Sequence, residues 1–269
     1  MIFETSDQTR LFYELKGNVS SSVTVALLNG VMASTSSWGY LVPMLERLNV
    51  RILLHDFAGQ LLSDKPNNLS FERHCQHLKE LLHHLDIQQV HLVGTSYGGE
   101  IAMQYAATIK EGVQSITIID SASELDDDLR QKVARWAELA DHPDGSYFFT
   151  EMMKDIYGDR YLHDQKAGLA ERARLFQSMD RSYFEGQKQL YAAFLRDLHL
   201  TDALSNIQCP ALVICGEEDT LKPVHFSKLI ADRIAGSEFV VVPGSGHVAI
   251  FEKPDELNSI IGGFLLKHL

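Results

Sequence analysis

The chain has 269 residues, 45% of them hydrophobic and 22% charged, which excludes a disordered chain and supplies enough apolar side chains for a sizeable core. Its 24 basic and 36 acidic side chains leave a formal charge of −12. That balance argues against a nucleic-acid partner or a polybasic membrane anchor, since both depend on clustered Lys and Arg.

In chain order, residues 11–15 alternate weakly and suit an edge strand. Residues 23–28 (VTVALL) are almost continuously apolar, as expected of a strand covered on both faces, and residues 52–54 are a shorter version. Ser70 then stands as an N-cap before Phe71, His74, Leu78, Leu81, Leu82 and Leu85, which fall on a 3.6-residue period. Further apolar runs lie at 90–93, 116–119, 211–215 (ALVIC) and 239–242 (FVVV), each ended by a turn-former or an acidic residue. Pro254 suits the first turn of a closing helix whose apolar face is Leu257, Ile260, Ile261, Phe264 and Leu265. The alternation predicts an α/β fold with a mostly parallel central sheet and flanking helices.

One interval breaks the pattern. Residues 122–202 contain helical spacings, such as Leu125, Leu129, Val133 and Trp136, but no buried strand. A structureless loop of that length is implausible, so a helical insertion is expected, dividing the core into residues 1–121 and 203–269. Asp126, Asp127 and Asp128 read as the acidic N-terminus of one of its helices.

The chemistry centres on Gly94-Thr95-Ser96-Tyr97-Gly98, a G-x-S-x-G pattern that follows a predicted strand and opens a helical run. A nucleophile on so sharp a turn needs small neighbours, and Gly94, Gly98 and Gly99 supply them. Serine requires a base, and the base an orienting acid. Asp219, in Gly216-Glu217-Glu218-Asp219, and His247, in Gly244-Ser245-Gly246-His247, each follow another predicted strand, in the chain order Ser–acid–His. Parallel sheets gather ligand chemistry at those strand ends. Glu217, Glu218 and Asp120 are rivals for the acid. The expected oxyanion donors are the backbone amides of Tyr97 and Val31, the latter in the loop beginning Asn29-Gly30. His74, His77, His83 and His84 share one predicted helix and read as a solvated face, because no H-E-x-x-H accompanies them. This chemistry calls for no cofactor and no metal.

Together these residues resemble the α/β-hydrolase fold superfamily, over essentially the whole chain. The stretch Asp56-Phe57-Ala58-Gly59-Gln60-Leu61-Leu62-Ser63-Asp64-Lys65-Pro66 is similar to that family's D-x-R-G-x-G-x-S-D-K-P loop, with Ala58 for Arg and Leu61 for Gly. The resemblance implies a helical cap over the insertion, with the substrate pocket between cap and core. Asn29-Gly30-Val31-Met32-Ala33-Ser34-Thr35 and Phe57-Ala58-Gly59-Gln60 are also similar to loops of bacterial 3-hydroxyacyl-thioester acyltransferases. Those enzymes often lack the first elbow glycine, which here is Gly94.

The leading expectation is a hydrolase of carboxylic esters with small to medium apolar acyl groups, working through an acyl-enzyme. The alternatives are an acyltransferase that moves an acyl group from a thioester to an alcohol, and a ligand receptor of the same fold. The partner is then a small-molecule ester or thioester. Cys75, Cys209 and Cys215 show no C-x-x-C spacing, MIFETSDQTR has no signal-peptide pattern, and no membrane span is visible. A cytoplasmic monomer or homodimer without disulfides is therefore expected.

Overall fold

The computed structural model describes residues 1–269. Eight strands form one sheet: β1 (Ile2–Glu4), β2 (Arg10–Gly17), β3 (Thr24–Leu28), β4 (Arg51–His55), β5 (Val90–Thr95), β6 (Val113–Ile119), β7 (Ala211–Gly216) and β8 (Glu238–Val242). Their spatial order is β1-β2-β4-β3-β5-β6-β7-β8. The first two strands pair antiparallel, and β2 meets β4 antiparallel; every later pairing is parallel. The central strands β3, β5 and β7 are buried along their whole length, which is why they read as unbroken apolar runs.

Alternation along each strand feeds two apolar layers. Val25, Leu27, Ile52, Leu54 and Ile214 face one side, covered by α1 (Val42–Arg47) and α11 (Pro254–Leu266). Ala26, Leu28, Leu53, Leu92 and Val213 face the other, against α2 (Phe71–His84), α3 (Tyr97–Thr108) and α9 (Val224–Arg233). Between β6 and β7 lie α4 (Asp127–Leu139), α5 (Gly145–Ile156), α6 (Asp159–Asp164), α7 (Lys166–Gln177) and α8 (Arg181–Asp197). The short α10 (Ala249–Glu252) precedes the last helix.

Local signals account for several boundaries. Ser70 accepts from the Arg73 amide to start α2, and Asp126 accepts from Leu129 to start α4. Strand β1 and helix α1 had no sequence signal: the first is three largely exposed residues, and the second has only six residues. The expectation of a solvated histidine face on α2 is corrected. His74 and His77 are buried, because the helix turns His74 toward Phe57 and Tyr97 and His77 toward Asp7; only His83 and His84 face outward. Cys75 and Cys215 are buried in α2 and β7, whereas Cys209 lies half-buried in a loop.

Candidate active site

Ser96 sits where β5 gives way to α3, at φ +50° and ψ −119°. A non-glycine residue there carries strain of order 1–3 kcal/mol, so its surroundings must over-determine it. They do so by close backbone approach. A Cβ on Gly98 would lie 2.0 Å from the Leu28 carbonyl oxygen, and one on Gly94 would lie 2.2 Å from the Gly98 oxygen. The Ser96 amide donates to the Ile119 carbonyl at 2.8 Å, and the Ser121 hydroxyl donates to the Ser96 carbonyl at 3.0 Å.

The loops after β7 and β8 converge on this serine. Nδ1 of His247 lies 2.7 Å from Oδ2 of Asp219, and its Nε2 lies 3.0 Å from Oγ of Ser96. Asp219 also accepts the Leu221 and Lys222 amides on Oδ1, at 2.9 and 2.8 Å, which fixes its carboxylate plane. Of the four acids weighed from sequence, only Asp219 reaches His247. Glu217 caps the Gly244 amide and Glu218 is exposed. Asp120 accepts the amides of Gly216 and Ala249, tying the two loops together from below. Burial, reinforced by the Asp219 charge, holds the Asp120 carboxyl well above the usual carboxylate range.

The amides of Val31 and Tyr97 donate to no group within the chain, although the Ser96 turn and the β3 loop are otherwise densely bonded. Asn29 explains the rigidity of that loop. Its Nδ2 reaches the His55 carbonyl, Asp56 and Gln60, while its Oδ1 accepts from Trp38. Gln60 in turn donates to the Gly30 carbonyl at 2.8 Å, and the Met32 amide donates to Gln187 at 3.1 Å. The Asp56–Pro66 stretch therefore acts as scaffolding for the β3 loop.

Two narrow apolar cavities open on Ser96. One is walled by Leu129, Val133, Trp136, Tyr191 and Phe194, with Lys222 at its base. The other, of about 60 Å³, runs past Phe149, Tyr157, Val248 and Phe251 to Arg172. The Arg172 guanidinium lies 5.8 Å from the Phe149 ring centroid and 5.5 Å from that of Phe251, and it donates to the Tyr157 hydroxyl. The covering helices are stitched to the histidine loop. The His247 amide donates to the Ile156 carbonyl at 2.8 Å, and Glu252 accepts from both Gly158 and Gly246.

Sequence reasoning missed Lys222 and Glu100. Lys222 Nζ lies 3.1 Å from Ser96 Oγ and 2.8 Å from Glu100 Oε1, with the two side chains 2% and 0% exposed. Burial pushes the Glu100 carboxyl up, and Lys222 pulls it back. The available signal was Glu100 itself, a carboxylate one helical turn after the serine amid small and apolar residues.

A sequence profile of the α/β hydrolase fold matches residues 23–254, and the chain belongs to that family. Among its relatives, a proline iminopeptidase of Lactobacillus acidophilus is 26% identical, over 94% of this chain and 93% of its own. An α/β hydrolase enzyme from a Medee basin deep-sea metagenome library is 26% identical with a TM-score of 0.92, covering 98% of this chain and 97% of its own. An N-acyl homoserine lactone degrading enzyme is 27% identical with a TM-score of 0.80, covering 96% and 98%.

Proposed function

We propose that the protein is a serine hydrolase that cleaves carboxylic esters of small to medium apolar acyl groups through an acyl-enzyme. The observation that carries this reading is the Asp219–His247–Ser96 relay, at 2.7 and 3.0 Å, beside two undonated amides. Ser96 Oγ attacks the acyl carbon while His247 Nε2 takes its proton, and Asp219 holds the imidazole in the required tautomer. The carbonyl electron pair moves onto oxygen, where the Val31 and Tyr97 amides stabilise it. Collapse expels the alcohol, protonated by His247; a water activated by the same imidazole then releases the acid.

The helices α4–α8 act as the cap that selects the substrate. Their aromatic walls favour apolar acyl groups, and the narrow cavity of about 60 Å³ favours small ones. The similarity to a proline iminopeptidase and to an N-acyl homoserine lactone degrading enzyme supports acyl transfer to water as the class of reaction.

The test is release of p-nitrophenol from esters of graded acyl length, comparing the native protein with Ser96→Ala. Turnover should fall by about 10⁴-fold or more in the variant. Adding a medium-chain alcohol separates hydrolysis from acyl transfer, since a transferase yields the new ester. Absence of turnover at every length, in folded protein, would remove the esterase reading.

A further inference from the structure

Two groups hold the Ser96 hydroxyl, and the reaction above uses one of them. His247 approaches Oγ from the loop after β8; Lys222 Nζ approaches it from the loop after β7, at 3.1 Å. The ammonium has Glu100 at 2.8 Å and the ring centroid of Phe194 at 5.0 Å on another side. Stability alone does not account for such a pair, because apolar replacement of a buried ion pair is often neutral or favourable.

Three features tie it to the serine. Glu100 lies one turn beyond Ser96 on α3, so one helix presents both partners of the lysine. Asp219 positions both neighbours of Oγ, since one oxygen faces His247 Nδ1 and the other accepts the Lys222 amide. An ammonium can only donate. Its hydrogen bond occupies an Oγ lone pair and leaves the hydroxyl hydrogen to point at His247 Nε2.

We infer that Lys222 is a further catalytic residue, whose Glu100-held ammonium orients the Ser96 hydroxyl toward His247 and stabilises the negative charge growing on Oγ. This rests on Ser96 being the nucleophile. In the acylation step Oγ bonds to carbon, its proton passes to His247, and the carbonyl pair moves to oxygen; Lys222 keeps all its protons. A charge-assisted hydrogen bond strengthens as the acceptor gains charge and weakens once Oγ is an ester oxygen. Its effect therefore falls on the barrier, more than on ground-state binding.

The decisive variant is Glu100→Leu with Lys222→Met, which removes both charges and strands neither. An ethyl fluorophosphonate probe reports on Ser96 directly: Oγ bonds to phosphorus, fluoride leaves, and His247 takes the proton. Because Glu100 also accepts the buried Ala122 amide at 2.9 Å, the double variant should stay folded but melt a few degrees below the native protein. Its maximal labelling rate should fall about 10- to 100-fold, while the half-saturating probe concentration changes less than about threefold. A labelling rate within about twofold of the native value would make the pair structural and overturn the inference. Should that variant unfold, Glu100→Gln with Lys222→Gln keeps an acceptor for the Ala122 amide, loses the charges and is judged by the same criterion. If native Ser96 takes no label, while the folded protein is intact, the nucleophile reading itself fails and this one with it.

Discussion

The loops at the strand ends and the helices that cover them are built on different physical terms. The loops are fixed by backbone approaching backbone. A Cβ on Gly216 would sit 2.2 Å from the Gly246 carbonyl oxygen, as Gly98 does against Leu28, and buried polar knots around Asn29 and Asp120 fill the rest. The covering helices are joined mostly by rings: Phe148 against Phe184, Phe149 against Phe176, and Trp136 against Tyr191, with close backbone approach at Gly145 against Phe176 and Gly186 against Gly59. Backbone contacts admit one answer, whereas ring packing can be exchanged at modest cost. The difference separates a frame that substitution can scarcely alter from a cover that it can reshape.

The comparison can be broken first at the relay. Asp219→Asn should lower turnover by about 10⁴-fold with the melting temperature nearly unchanged, because the imidazole loses the partner that sets its tautomer. An activity loss under tenfold in ester assays would detach the acid from the site. Gly98→Ala is next: its methyl cannot coexist with the Leu28 carbonyl, so a loss of about 4 kcal/mol or more, or failure to fold, is expected in chemical denaturation.

Acid should act on the sheet side before the cover. His55, at the end of β4, is fully buried, and burial, with a smaller push from His77, drives its imidazole down to about 4. Protons then bind the unfolded chain more readily. Stability is intact above the ordinary histidine value near 6.5 and is lost as pH falls from there toward 4, by about 3 kcal/mol for His55 alone. His91, also driven down to about 4, adds in the same direction. Urea midpoints at pH 7 and pH 5 check this, and a flat profile would contradict it.

Milder effects belong to the cover. Trp136→Phe removes a ring that lines both cavities and its bond to Asp155, and should shift preference toward longer acyl chains with under tenfold loss on short ones. Ester-length profiles of the two proteins decide it. Smallest of all, Gly263→Ala in α11 meets nothing within 4 Å and should raise stability by about 0.5–1 kcal/mol without touching turnover.

The same division governs what the sequence reveals. Strands buried on both faces announce themselves as apolar runs, and a serine on a glycine-lined turn after such a run is a local pattern. The partners of that serine follow other strands, so Asp219 and His247 are legible once a parallel sheet is assumed. Lys222 is not, because a charged residue reads as surface until a tertiary neighbour is known, and Glu100 gives only the hint of a carboxylate among small and apolar residues. His74 and His77 mislead for the opposite reason: which side of a helix is covered depends on Phe57, Tyr97 and Asp7, elsewhere in the chain.

The bond from the His247 amide to the Ile156 carbonyl has a mechanical side. With Glu252 gripping Gly158 and Gly246 together, residues 156–158 and the imidazole loop are bound to one another. A molecule that displaced that part of the cover would therefore disturb the seat of the imidazole as well. Fit in the cavity and alignment of the base are coupled through these few hydrogen bonds.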